Sequence, residues 1–194
     1  MSEKVFENWS SILGTSSSDE ATAVITGSDG SIYIAGVTEG DLDGQTNNND
    51  DVFFTTSDAF ISKFNINGDK EWTRLFGSSN SDQANAITIG TGGSIYVAGK
   101  ENTSASISKF NSDGEKQWTK LISAGNKNTE FSAITSGVDG SIYVTGSSNG
   151  DLHDQVNIGT SDAFIIKYDS EGERDWTRFI GTNYLWVLNI GSFS

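Results

Sequence analysis

The sequence predicts an all-β protein made of three four-stranded antiparallel units. Three observations carry this reading. Gly27-Ser28-Asp29-Gly30-Ser31-Ile32-Tyr33-Ile34-Ala35-Gly36 is written twice more, over residues 90–99 and 137–146. A short Trp-centred run occurs four times, at Trp9, Trp72, Trp118 and Trp176. The chain has 22 Gly and no Pro, so its turns must rest on Gly, Asn and Asp.

Each element follows from these repeats. Asp29-Gly30, Gly92-Gly93 and Asp139-Gly140 separate two β-rich runs. That is a hairpin signal, and a two-residue type I′ turn with positive φ at Gly30, Gly93 and Gly140 is expected. The Ile-Tyr strand follows each turn, and an Ala-rich strand precedes it, at Ala21 to Thr26, Ala84 to Ile89 and Ser132 to Thr135. Small residues at matched positions suit a strand near a crowded axis. The third strand is Asp58 to Phe64, Ser104 to Phe110 and Asp162 to Tyr168. A second Gly turn, at Gly68, Gly114 and Gly172, leads into the Trp strand. Val5 to Leu13 taken alone also fits a helical face, but its alignment with the other Trp runs makes it a strand.

Four strands in up-and-down order make one blade. The Trp72 to Trp118 interval is close to the period of about 40–45 residues found in four-stranded propeller blades. The expected layout is a single repeat domain over 1–194, with blades at 21–77, 84–123 and 131–181. Residues 5–14 read as an unpaired Trp strand of a preceding blade, and 183–194 as a tail outside the repeat. Ile32 and Ile34 point one way and Tyr33 and Ala35 the other, so each sheet is apolar on both faces, as stacking between neighbours requires. The fold class is therefore a β-propeller-like array of three four-stranded blades, a partial or oligomer-completed propeller. Rings of this kind hold four to eight blades. Three leave apolar end faces, and self-association, most simply a head-to-tail dimer of six blades, or membership of a longer propeller is expected.

The units resemble the bacterial β-propeller repeat known as SBBP. The pattern of Trp, Gly-Thr/Ser, Asp-x-Ala, Asp-Gly-Ser-Ile-Tyr-Val-Ala-Gly, Gly-Asp-Leu-Asp-Gly, Asp-Ala-Phe-Ile-Ser-Lys and Gly-x-x-x-Trp runs through residues 9–181. The resemblance implies a multi-bladed propeller in an exported or surface protein of a bacterium. It implies no shared catalytic activity.

With 12 basic and 26 acidic residues, the net charge of −14 gives no basic footprint for nucleic acid or anionic membrane. No apolar run approaches a membrane span. Met1 to Ser10 has neither the basic start nor the apolar core of a cleavable signal. There is no Cys, hence no disulfide and no thiolate chemistry.

The connection between the Ile-Tyr and Phe strands is long in the first and third units and short in the second, so insertions should emerge on one rim. The first crowds Asp41, Asp43, Asp50 and Asp51 among amide oxygens, and the third repeats this more weakly with Asp151 and Asp154. Calcium takes six to eight such oxygens from flexible loops, so these are the candidate ligands. The spacing is not that of an EF-hand, and the competing reading is a solvated loop whose Asn and Asp favour turns. Asp58 and Asp162 stand where a carboxylate caps a turn. The recurring Trp residues are read as inter-blade packing, His153 as a loop residue, and Val52-Phe53-Phe54 as folding back on the rim. The expected function is a non-catalytic binding or scaffold module, extracellular or on the cell surface, for a protein or glycan partner. The alternative is a polysaccharide hydrolase using paired carboxylates on the loop rim, which should show raised pKa in a cleft.

Overall fold

The computed structural model describes residues 10–47 and 56–181. Among these residues twelve strands form three separate antiparallel sheets. Blade 1 is β1 (Asp19–Thr26), β2 (Ile32–Thr38), β3 (Asp58–Phe64) and β4 (Lys70–Phe76). Blade 2 is β5 (Asp82–Ile89), β6 (Ile95–Glu101), β7 (Ser104–Phe110) and β8 (Lys116–Ile122). Blade 3 is β9 (Thr129–Ser136), β10 (Ile142–Ser148), β11 (Asp162–Tyr168) and β12 (Arg174–Ile180). Each sheet keeps sequence order, the up-and-down arrangement that the repeats predict. The innermost strand of each blade begins at Asp19, Asp82 and Thr129, two residues ahead of the blade boundaries drawn at 21, 84 and 131.

The blades stack face to face. β5 packs against β1, β2 and β3, and β9 packs against β5, β6 and β7. The forward face of one blade, Tyr33, Ala35 and Ile61, closes on the rear face of the next, Ile95, Val97 and Phe110. Tyr96, Ala98 and Ile107 meet Ile142, Val144 and Phe164 in the same way. This is the two-faced strand pattern of the sequence in three dimensions. Among the described residues the array is propeller-like and not closed.

Two backbone devices recur. The inner strand bulges at Thr22, Asn85 and Ser132, the one extra residue in each register. Gly36, Gly99 and Gly146 lie opposite, where an added Cβ would stand 1.9 Å from the carbonyl oxygens of Glu20, Gln83 and Glu130. The Gly that ends each Ile-Tyr motif is thus fixed by the bulge. The bulged side chain then links blades: Thr22 Oγ1 donates to Ala84 O at 2.6 Å, and Asn85 Nδ2 to Phe131 O at 2.8 Å.

The hairpins correct one expectation. Gly30, Gly93 and Gly140 do have positive φ, at 82°, 82° and 83°. Asp29 and Asp139 do not, so the turns of blades 1 and 3 are not type I′, whereas Gly92 of blade 2 does, at 78°. Gly30 N–H donates to Gly27 O and Gly27 N–H to Ser31 O, a three-residue loop in which Gly closes a turn as a bulge residue. The reason is local: Asp29 Oδ1 accepts Ser31 N–H at 3.0 Å, which holds Asp29 out of the left-handed region. Asp139 does the same for Ser141.

The N-terminal Trp strand is not seen in its described part. Ser10 to Gly14 carry no strand, and Ile12 is 98% exposed. No third strand of a preceding blade is present among the described residues for them to pair with. Trp9, Asp50, Asp51, Val52-Phe53-Phe54 and the 183–194 tail lie outside the described residues. Among the described residues no helix is long and apolar enough to cross a membrane.

Candidate functional site: the loop-covered faces of blades 1 and 3

The β2–β3 and β10–β11 insertions begin identically, although their sequences differ. Asp41 Oδ1 accepts Asn47 N–H at 3.0 Å, and Asn47 Nδ2 donates to Thr38 O at 3.1 Å. Asp151 Oδ1 accepts Asn157 N–H at 2.8 Å, and Asn157 Nδ2 donates to Ser148 O at 2.6 Å. Asp43 and His153 occupy matching left-handed positions, with φ of 53° and 54°. Between these anchors Leu42 and Leu152 are buried, and Leu152 joins the core between blades 2 and 3. The insertions therefore do not simply emerge on a rim. Burying a Leu yields about 2 kcal/mol, and this folds the loop back onto its own blade.

Below each Leu, the loop reaches a buried Thr on the outer strand. In blade 1, Thr73 pairs with Ser62 at 2.8 Å and bonds Asp43. Lys70 donates to Asp43 as well. Burial would raise the Asp43 pKa, but the bonds from Lys70 and Thr73 and the Lys70 charge hold it below the usual range. In blade 3 the residue matching Ser62 is Ile166, which cannot bond Thr177. His153 Nδ1 supplies the partner instead, 2.9 Å from Thr177 Oγ1. Burial and the Arg174 charge push His153 below its ordinary value, against a smaller pull from Asp154. His153, Asp154, Gln155, Arg174, Asp175 and Thr177 help to line a groove of about 290 Å3.

The candidate calcium ligands are thus placed separately. Asp41 and Asp151 fasten their own loops, Asp43 meets Lys70, and Asp154 lines the groove beside His153. Among the described residues no three His, Cys, Asp or Glu side chains are grouped to hold a metal ion. Asp162 caps a turn, as its position suggests: Oδ2 accepts the N–H groups of Ile158 at 2.6 Å and Gly159 at 3.2 Å. Asp58 is buried at the start of β3.

The Trp residues also pack between blades. A Cβ on Gly114 would stand 2.9 Å from the Trp72 ring, and one on Gly172 would stand 2.9 Å from Trp118. Each indole therefore lies against the Gly turn of the next blade.

One carboxylate pair escapes sequence inspection. Asp82 and Glu101 face each other across β5 and β6. In blade 1 the same pair is Asp19 and Thr38, whose hydroxyl donates to Asp19 Oδ1 at 2.5 Å. In blade 3 it is Thr129 and Ser148, bonded at 3.0 Å. Burial opposes ionisation of Asp19, yet the bonds from Thr38 and Thr15 keep its pKa low. Burial prevails at Asp82 despite the bonds from Ser78 and Asn102, and its pKa is raised. Glu101 is raised too, by burial and by the Asp82 charge, against Lys116. The nearby groove of about 260 Å3 is lined by Asp82, Ser57 and Lys100 among others, and Glu101 is not part of its lining. Lining up the three repeats at this position, an Asp-Glu pair against Asp-Thr and Thr-Ser, would have found it.

The family model described as Beta-propeller repeat, SBBP, matches residues 117–153, which run from β8 through β10 to the start of the second insertion. Regulatory protein FlaEY of Caulobacter vibrioides is 29% identical over 95 residues, covering 47% of this chain and 10% of that protein. The chain thus spans about a tenth of that relative's length. A crystal structure of a protein of unknown function from Bacteroides caccae aligns with TM-score 0.45 and 13% identity over 86% of this chain and 61% of the other.

Proposed function

We propose that this SBBP-repeat chain is a non-catalytic binding or scaffold module of an exported or surface protein, with a protein or glycan as partner. The single observation that carries the proposal is the division of labour within the repeat. The shared residues are engaged in turns, bulges and blade packing, while variation is concentrated in the β2–β3 and β10–β11 insertions and their grooves. The coil that varies on a repeated frame is where recognition normally resides.

Glycan arrays and binding to defined candidate proteins, run with and without calcium, test it. Replacing residues 39–57 by the short Asn102-Thr103 connection of blade 2 should abolish binding and leave the other blades folded. Binding retained after this replacement, and after the same change in blade 3, would refute a role for the loops. The hydrolase reading draws on the Asp82–Glu101 pair alone, which stands where blades 1 and 3 have a strand-fastening pair. Release of reducing ends from a polysaccharide panel, lost in Glu101→Gln, would replace the scaffold reading with it.

A further inference from the structure

We infer that the forward face of blade 3 is a docking surface for the rear face of blade 1 of a second copy of this chain, so that two chains form a closed pair of six blades. The inference needs no loop ligand. It rests on the two blade interfaces already present, whose halves recur at the two ends of the array formed by the described residues.

On the forward face, Ile122 of blade 2 is 7% exposed because blade 3 covers it, whereas the matching Ile180 is 65% exposed. Ala59 and Ala105 are buried under the next blade, and the matching Ala163 is exposed. On the rear face, Ile87 of blade 2 is 8% exposed against blade 1, whereas the matching Val24 is 67% exposed. Each end therefore presents a large apolar residue of the kind that its counterpart buries inside the array.

The polar contacts predict the same register. Asp82 N–H donates to Ser57 O at 2.7 Å, and Thr129 N–H to Thr103 O at 2.9 Å, so the start of each inner strand fastens to the preceding blade. The equivalent acceptor on blade 3 is Ser161 O, beside an open hollow of about 420 Å3 lined also by Ala163 and Ile180. Asp19 of the second copy is the residue that fits there. Ser132 stands where Thr22 and Asn85 donate to the next blade, and Ala21 O of the second copy is the matching acceptor. Trp176 stands where Trp72 and Trp118 meet a Gly turn, and the turn at Gly68 of the second copy has the same form, with φ of 84°.

Docking asks Ser10 to Gly14 to move aside. Thr15 N–H bonds Asp19 Oδ2 as Ser78 N–H bonds Asp82 Oδ2, so Gly14 takes the place that Gly181 of the docking copy would fill. That stretch carries no strand. A head-to-tail interface closes into a ring or grows into a chain according to its rotation. Two three-blade units give six blades, within the range of about four to eight found in propeller rings.

Light scattering on the size-separated full chain at micromolar concentration tests this. The expected mass is twice 20.8 kDa. Ile180→Asp and Val24→Lys alter exposed positions on opposite ends, and each alone should give a monomer with an unchanged circular-dichroism spectrum. Mixed one to one, they should recover a heterodimer through the one intact interface, about tenfold or more weaker than wild type because the ring is not closed. Ala163→Arg is a second forward-face variant and should behave as Ile180→Asp does. A monomeric wild type would overturn the inference. So would a dimer lost with Ile180→Asp but kept with Val24→Lys, which means like faces pair, or open chains that lengthen with concentration.

Discussion

Blade 2 differs from blades 1 and 3 at linked positions, and the links show what the long insertion contributes. Blades 1 and 3 carry Phe60 and Phe164 on the third strand, with Leu42 and Leu152 of the loop buried. Leu152 and Phe164 share one core. Blade 2 has a two-residue connection, Asn102-Thr103, and Ser106 in place of the Phe. Its Asp82 has no hydroxyl opposite, only Glu101. A loop that looks like a surface addition is thus a packing element that the strand beneath it is built to receive. Removing the loop from blade 3 would take Leu152 out of the core that it shares with Phe164.

The largest effect should ignore this difference altogether. Gly36→Ala, Gly99→Ala and Gly146→Ala each drive a Cβ into a backbone carbonyl, and each should cost about 3 kcal/mol or more by chemical denaturation. A mild loss in one blade alone would show that its bulge can relax. Next comes Leu152→Ala, which empties a fully buried site and should cost about 2–5 kcal/mol. Leu42→Ala should act in the same direction, and a neutral result at either position would return that loop to a solvated extension.

Smaller effects separate blade 3 from blade 1. His153→Ala leaves the buried Thr177 hydroxyl without its partner and should cost about 1–3 kcal/mol at pH 8. The folded pKa of His153 is lowered, so the unfolded chain takes up the proton first. The His153 contribution is therefore present above the ordinary value of 6.5 and lost as pH falls through the folded value. Melting curves of wild type and His153→Ala should converge on acidification; parallel curves would mean that the His153 proton is unperturbed.

Blade 2 has the opposite sign. Asp82 and Glu101 both have raised pKa values, chiefly from burial and for Glu101 also from the Asp82 charge, so the cost of keeping them ionised falls as pH falls through the folded values and is gone below the ordinary values of 3.8 and 4.5. Glu101→Thr restores the blade 1 pairing and should stabilise the protein by about 1 kcal/mol at pH 7, with less gain at pH 4. A gain independent of pH would point to packing rather than charge. The smallest expected change is Tyr168→Phe. Phe64 and Phe110 occupy this position in the other blades, and the Tyr168 hydroxyl is buried without a hydrogen-bond partner among the described residues. Its removal should stabilise by about 0.5–1 kcal/mol, read from the denaturation midpoint.

The blade count, the strand order, the two-faced strands and the packing role of Trp72 and Trp118 were legible in the sequence, because each follows from a local motif repeated at a known period. Alternation and Gly position act over a few residues, and three copies of the same signal remove the ambiguity of any one. The turn type was not legible: Asp29-Gly30 fits both a two-residue and a three-residue loop, and the bonds between Gly27 and Ser31 and between Gly30 and Gly27 show the three-residue form, which blade 2 repeats with Gly92 in place of the Asp. Nor was the fate of the insertions. Asp41 and Asp151 look like ion ligands in a row of polar residues, and only the path of the chain shows that their first partners are the amides of Asn47 and Asn157. His153 becomes a partner of Thr177 because Ile166, thirteen residues further along, displaces a Ser. Repetition in the sequence therefore determined the frame of the blades. The tertiary structure decided which polar residues serve that frame, because burial and hydrogen-bond partners depend on residues brought together across strands and blades.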